Sequence, residues 1–315
     1  MTAFLTRFFC VCLTIFFCIT SVTAMSTAPQ QIINPAPANI TLELNDQKYK
    51  QGEFIVAHIK GAPSAPRLWF NSQEFHPFLV QKPLEEDWKP VDPNLPAPVP
   101  EKIYRALIPI ENMTKPGPYS VLAKLGNWEQ RIALEVKDNG KGVSRITLPP
   151  DKVEIEPTAY ELSKIGPGLR YLSATKQWQG RFIYPAKAPK SSPFGVKRSY
   201  NGGPVDSYHK GLDFAGKHGE PVYAPADGTV IVAGLEKDGF KLHGSTIILD
   251  HGQAVTSIYM HLSKLDVKEG DKVKQGQKIG EIGHTGISTG PHLHWGVYSY
   301  GTSVEPELFV KNDIL

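Results

Sequence analysis

Ten histidines occur in the chain, and eight of them lie between His209 and His294. That density, in a segment without a thiol, is what a nitrogen-and-oxygen metal site or an imidazole proton relay would need. In YHKGLDFAG, His209 and Asp213 are four apart, which in an extended segment with a side-chain period of two puts both on one face. In GPHLHWGVY, His292 and His294 are two apart, so both imidazoles point to one side while Leu293 and Trp295 turn to the other. One strand can thus offer two histidines to a site and two large apolar groups to a core.

Catalytic zinc takes three protein ligands and keeps a fourth position for water. Two histidines and one aspartate meet that requirement. Binding lowers the pKa of the water to about 7 and lets the metal polarise a carbonyl. A base and a stabiliser for the resulting oxyanion are then needed. His292, beside His294, and His261 in SIYMHLS are the candidates, because imidazole moves protons near neutral pH. On residue types alone H-x-x-x-D is a weak motif and H-x-H a moderate one, and ordinary core or surface histidines account for them equally well. His251 in LDHG reads as a strand-end turn residue. His218, His243 and His284 lie in glycine-containing loops that predict exposure, and His58 and His76 are far in sequence from any partner set.

The elements that must position these side chains are mainly β. Residues 190–315 contain the candidate strands GTVIVAG, STIILDHG, AVTSIYMHL and HLHWGVYS, separated by glycine turns, with DKVKQGQKIGEIG as a further turn-and-strand unit. Upstream, ITLEL, EFIVAHI, RLWF, IYRALIPI, YSVLAKL and RIALEV read as short strands between turn signals, several of them alternating apolar and polar residues, which predicts a β-sandwich-like domain over 25–137 with a proline-rich loop at 83–102. Between them, 138–189 reads as a connector with one short helix near Ala159 to Lys164, stopped by Gly166-Pro167-Gly168 because helix interiors reject both residue types.

A length of 315 residues suits two domains, and 41% hydrophobic with 21% charged residues is ordinary for a globular chain. Residues 1–24 combine Arg7, an apolar run from Phe8 to about Ile19 and small residues ending at Ala24, the pattern of a secretory signal peptide too short for a comfortable membrane span. No stable span is expected once it is cleaved. All three cysteines, Cys10, Cys12 and Cys18, fall within it, so disulfides cannot hold the mature chain together. A formal charge of +3, which drops by one with Arg7, is too mild for a nucleic-acid binder. Export to the periplasm or the medium is the expectation.

Pro193-Phe194-Gly195, HKGLDFAG, GEPVYAPADGTVIVAG, LDHG, YMHLS and GISTGPHLHWGVY follow in order, and residues 190–307 resemble the catalytic domain of M23 peptidases, the lysostaphin or LytM type. The resemblance implies a LytM-like β-barrel or sandwich of the duplicated hybrid motif type, with Zn2+ held by His209, Asp213 and His294. His261 and His292 match the two catalytic histidines, and Arg198, Tyr200 and Asn201 lie where substrate contacts are often found. It further implies hydrolysis of peptide bonds in bacterial peptidoglycan. The alternative is a non-catalytic LytM-like regulator that activates wall amidases. A third reading, a biotinyl or lipoyl carrier suggested by DKVKQGQKIG, conflicts with the leader and with H-x-x-x-D. The N-terminal domain is expected to dock an envelope partner, to space, or to cover the groove. If it covers the groove, residues 190–315 alone should be at least as active as the mature chain. The oligomeric state has no legible signal.

Overall fold

Alternating burial marks several strands of the first half of the molecule, while the strand at 103–109 is buried on both faces. In β3 (Phe54–Lys60) and β7 (Ile103–Pro109), Ile55, Ala57, Ile59, Ala106 and Ile108 are buried. These strands lie at the centre of a four-stranded sheet ordered β1 (Thr41–Leu44), β3, β7, β6 (Phe78–Val80). A five-stranded sheet joins β2 (Lys48–Lys50), β9 (Trp128–Lys137), β8 (Gly117–Leu125), β4 (Arg67–Phe70) and β5 (Gln73–Phe75) in that order. Their facing side chains, among them Ile55, Ile59, Leu68, Phe75, Ile108 and Val121, form one core, so the expected β-sandwich-like packing is present. The computed structural model describes residues 40–80, 102–148 and 155–314. The leader, its cysteines and nearly all of the proline-rich stretch lie outside the described residues.

After β10 (Val143–Ile146) comes α1 (Ala159–Leu169), which runs through Gly166-Pro167-Gly168 rather than stopping before it. Packing overrides propensity here. Pro167 falls in the last turn, where it removes a single backbone bond, and a Cβ on Gly168 would stand 3.0 Å from Ile248 and Val232. The glycine therefore lets the helix lie close against the sheet below. Ile165 and Leu169 join Val232, Phe240, Ile248, Ile258 and Tyr298 in a small apolar cluster.

That sheet has ten strands. Its main path runs β11 (Lys190–Ser192), β14 (Leu212–Phe214), β21 (Leu293–Ser299), β18 (Val255–Leu265), β17 (Ser245–Gly252), β16 (Gly228–Gly234) and β19 (Lys272–Val273). β15 (Pro221–Tyr223), β20 (Lys278–Ile282) and β22 (Thr302–Val304) attach at its sides. A separate three-stranded sheet orders β10, β12 (Lys197–Tyr200) and β13 (Ser207–Tyr208), and α2 (Glu307–Lys311) follows β22. Leu293, Trp295 and Val297 face the larger core with Phe214, Tyr259 and Leu249, while Tyr298 packs on the α1 side. Trp178, Phe182 and Ala186, upstream of residue 190, are also part of the larger core.

The two halves share an interface. Phe54 and Leu107 of the N-terminal sheets pack into the larger C-terminal core. Arg105, 1% exposed, donates to Gln253 Oε1 and, at 3.2 Å, to Ile314 O. Glu305 N donates to Gly52 O at 2.7 Å.

Candidate metal centre

Three strands and one loop bring the chemistry together. His209 and Asp213 do not share a continuous strand, since His209 lies just past β13 and Asp213 is central in β14. The antiparallel pairing of β14 with β21 sets Asp213 directly opposite His294, and cross-strand register rather than i, i+4 spacing makes the contact. Gly211, between the two, is required by close approach: a Cβ there would sit 2.7 Å from His294 Nε2 and 2.4 Å from Trp295 O.

His209 Nε2 lies 3.0 Å from Asp213 Oδ1 and 3.0 Å from His294 Nδ1, and His294 Nδ1 lies 2.9 Å from the same carboxylate oxygen. These three side chains form the candidate metal-holding group among the described residues. The tautomers decide what the triangle means. Pro193 O, 2.9 Å from His209 Nδ1, can only accept, so the proton sits on Nδ1 and Nε2 presents a lone pair. A lone pair facing both a carboxylate oxygen and a second imidazole nitrogen is repulsive unless a cation or an extra proton lies between them. Separations near 3 Å suit adjacent ligands of a small ion bonded at about 2.0–2.1 Å. The donor set therefore fits zinc.

Burial alone would raise the Asp213 carboxyl, but when a proton rather than a cation lies in the triangle, hydrogen bonding from His209 and His294 holds it well below the usual carboxylate range. Burial pushes His294 down to about 4. Both effects favour the deprotonated forms that bind metal.

His261 reaches the site through a bulge. Ser245 faces Leu262 while Ile247 faces Tyr259, so Thr246 alone opposes Met260 and His261. The extra residue reverses the alternation of β18, and His261, at φ 63°, turns away from the face occupied by Tyr259. Its ring comes within 4.7 Å of His292 and 6.4 Å of His294, centroid to centroid. Nδ1–H donates to Thr285 O at 2.9 Å, leaving Nε2 as a lone pair. Burial, reinforced by His292 and His294, pushes this ring down to about 3. His292 is fixed in the same sense, Nδ1–H donating to Gly290 O at 2.8 Å while Nε2 lies 4.0 Å from Asp213 Oδ1.

The loop residues divide. Arg198 Nη2 lies 3.8 Å from Asp213 Oδ2, and its Nη1 donates to the Tyr200 hydroxyl at 3.1 Å. Asn201 spends its side chain on Leu148 N at 2.9 Å and helps tie β10 to β12. Residue reasoning missed the carbonyls of Pro193, Thr285 and Gly290, which set the three tautomers; a backbone oxygen carries no sequence signature. Two other histidines differ from expectation. His251 is fully buried within β17, bonded to Asp227 O and Ser257 Oγ, and His243 is held by Glu161 at 2.7 Å. His218 and His284 are exposed as expected.

Residues 207–306 match the model of peptidase family M23. The chain carries an M23 peptidase domain. Over 96 residues it is 42% identical to the peptidoglycan DD-endopeptidase ShyA of Vibrio cholerae, covering 30% of this chain and 21% of that one. Over 100 residues it is 40% identical to a lipoprotein NlpD/LppB homolog of Pseudomonas aeruginosa, covering 32% of each. The chain thus spans only a fifth to a third of these relatives' lengths. A crystal structure from Pseudomonas aeruginosa described as a peptidase M23 superposes over 81% of this chain and 92% of its own, with 28% identity and a TM-score of 0.54. That match extends well beyond the M23 domain into the upstream sheets.

Proposed function

We propose that the chain is an exported zinc metalloendopeptidase that hydrolyses peptide bonds in bacterial peptidoglycan, in a cross-link or in a stem or bridge peptide. One observation carries the reading: His209, Asp213 and His294 converge within 3.0 Å of one another, with two further imidazoles of fixed tautomer beside them. The similarity to a DD-endopeptidase supports the substrate class. The apolar leader supports export, and no described helix is long and apolar enough to cross a membrane. A divalent ion held by these three residues would supply Lewis acidity to a water and to the scissile carbonyl.

The remaining work falls to the chain itself. His292 and His261 each present an Nε2 lone pair, anchored by an Nδ1–H bond to a carbonyl, so both can accept a hydrogen bond from the attacking water; His292 takes its proton, because burial holds His261 against protonation. The protonated ring becomes a donor to the oxyanion and then to the leaving amine. His261, its ring centroid 4.7 Å from that of His292, stays neutral and orients the water through its Nε2 lone pair. Arg198, beside Asp213 and Tyr200, is placed to meet an anionic group of the substrate.

The zinc-loaded protein should release peptide fragments from at least one of several peptidoglycan chemotypes, with mass spectrometry of defined muropeptides naming the bond. His292→Ala should keep the metal and lose cleavage. Release from none of the chemotypes contradicts the reading. A non-catalytic activator of wall amidases is the second reading, suggested by the similarity to the lipoprotein homolog. It has no need of tightly bound metal, so a metal assay separates the two.

A further inference from the structure

The bulge that presents His261 has to be held, because a non-glycine residue in the left-handed region is strained. Its backbone N–H donates to His243 O at 3.1 Å, and its ring donates to Thr285 O. Both carbonyls belong to one assembly. Ser245 N donates to Thr285 Oγ1 at 2.9 Å, Thr285 Oγ1 donates to Leu262 O at 2.9 Å, and Ile287 N donates to Leu242 O at 2.9 Å. At the centre of this assembly is a carboxylate from outside the M23 match. Glu161, on α1 and fully buried, accepts Lys241 N at 3.0 Å and Leu242 N at 3.1 Å on one oxygen. Its other oxygen accepts His243 N at 2.8 Å and His243 Nδ1–H at 2.7 Å. Successive backbone N–H groups converging on one point form an anion-binding nest, and here the chain supplies its own anion.

α1 is anchored to the same loop. Thr158 caps the helix, accepting Glu161 N at 3.0 Å and donating to Gly239 O at 2.7 Å, while Tyr160 packs edge-on against buried Phe240. We infer that Glu161 is a positioning residue for His261: through the backbone of residues 241–243 it fixes the His243 carbonyl that holds the bulge, and so aims the imidazole at the metal-binding triangle. The inference rests on the reading of His261 as one of the catalytic pair. The consequence is that the segment ahead of the M23 match is a working part of the site.

The test uses the full chain with Glu161→Gln, which keeps the volume but sets an amide N–H2 against backbone donors. Amides 241–243 and 261 should lose hydrogen-exchange protection while those of β21 keep it. The exchange-protected His261 Nδ1–H resonance should broaden or vanish. In the active enzyme kcat should fall by up to about 100-fold with KM little changed, since misplacing a reacting group by about 1 Å costs that much. His243→Ala removes only the imidazole contact and should preserve the amide protection. Should Glu161→Gln not fold, Thr158→Ala should give the same pattern at lower amplitude. Wild-type protection at amide 261 and an unchanged His261 resonance in Glu161→Gln would overturn the inference. The exchange and resonance measurements need no substrate, so failure of the wild type to cleave peptidoglycan would refute the peptidase reading and leave this coupling testable.

Discussion

The N-terminal sheets and the ten-stranded sheet bury their residues differently. The cluster between the two N-terminal sheets is built of hydrophobic side chains, from Ile55 and Leu68 to Val121 and Val136. Of the polar residues that this half buries, Arg105 and Asn112 bond across to the C-terminal half. The ten-stranded sheet and its approaches bury His209, Asp250, His251, Thr256, Ser257, His261 and His294. Burying a polar group is costly unless each donor and acceptor finds a partner, so this sheet devotes carbonyls and hydroxyls to fixing its histidines. One region is organised for packing. The other gives up packing uniformity to hold lone pairs in fixed directions, and the connector helix belongs with the second.

The largest effect should come from cutting the chain at the wrong place. A fragment of residues 190–315 loses Ile165, Trp178, Phe182 and Ala186 from its cores and should show no cooperative melt. Residues 155–315 should melt cooperatively and bind metal. This reverses the expectation that 190–315 would be at least as active as the mature chain. A folded, metal-binding 190–315 fragment would break the comparison.

Next in size, Leu68→Ala in the N-terminal core should cost about 2–5 kcal/mol in denaturant titration and leave metal content unchanged. Loss of metal would mean that the two regions are not energetically separable.

Burial pushes His251 down to about 4 from an ordinary 6.5. As pH falls below about 6.5 the unfolded chain takes up a proton that the folded chain refuses. Its contribution, about 3 kcal/mol, is present above that pH and is lost on acidification toward 4. His251→Gln should flatten the stability profile across that window by about one proton's worth of slope. Equal slopes in variant and wild type would show that the histidine is not held neutral.

The smallest effect belongs to the loop. Arg198→Ala removes a partly exposed cation 3.8 Å from Asp213 and should raise KM by an amount worth about 1 kcal/mol while kcat changes little. A fall in kcat alone would place Arg198 in the chemistry rather than in binding.

The histidines were legible because two residues of one strand face alike, and His292 and His294 do lie beside the same carboxylate. The opposition of Asp213 to His294 was not, since register between strands 81 residues apart is set by the whole sheet. Nor was the bulge at His261, because a positive φ on a non-glycine residue has no compositional mark. Glu161 is a single acid in a helix, and its partners are backbone N–H groups that every residue carries. The end of α1 was misplaced because the fit of Gly168 against Ile248 depends on a surface formed by residues far downstream.

The account depends most on His209, Asp213 and His294 sharing one divalent ion. Zinc content after exhaustive dialysis, measured by plasma mass spectrometry on wild type and on single alanine replacements, tests it most directly. Wild type and His292→Ala should retain about one zinc per chain, as a three-ligand site with an open position requires, and His209→Ala, Asp213→Ala and His294→Ala should retain essentially none. A wild type that binds no zinc, or ligand variants that bind it as well as wild type, would contradict the account.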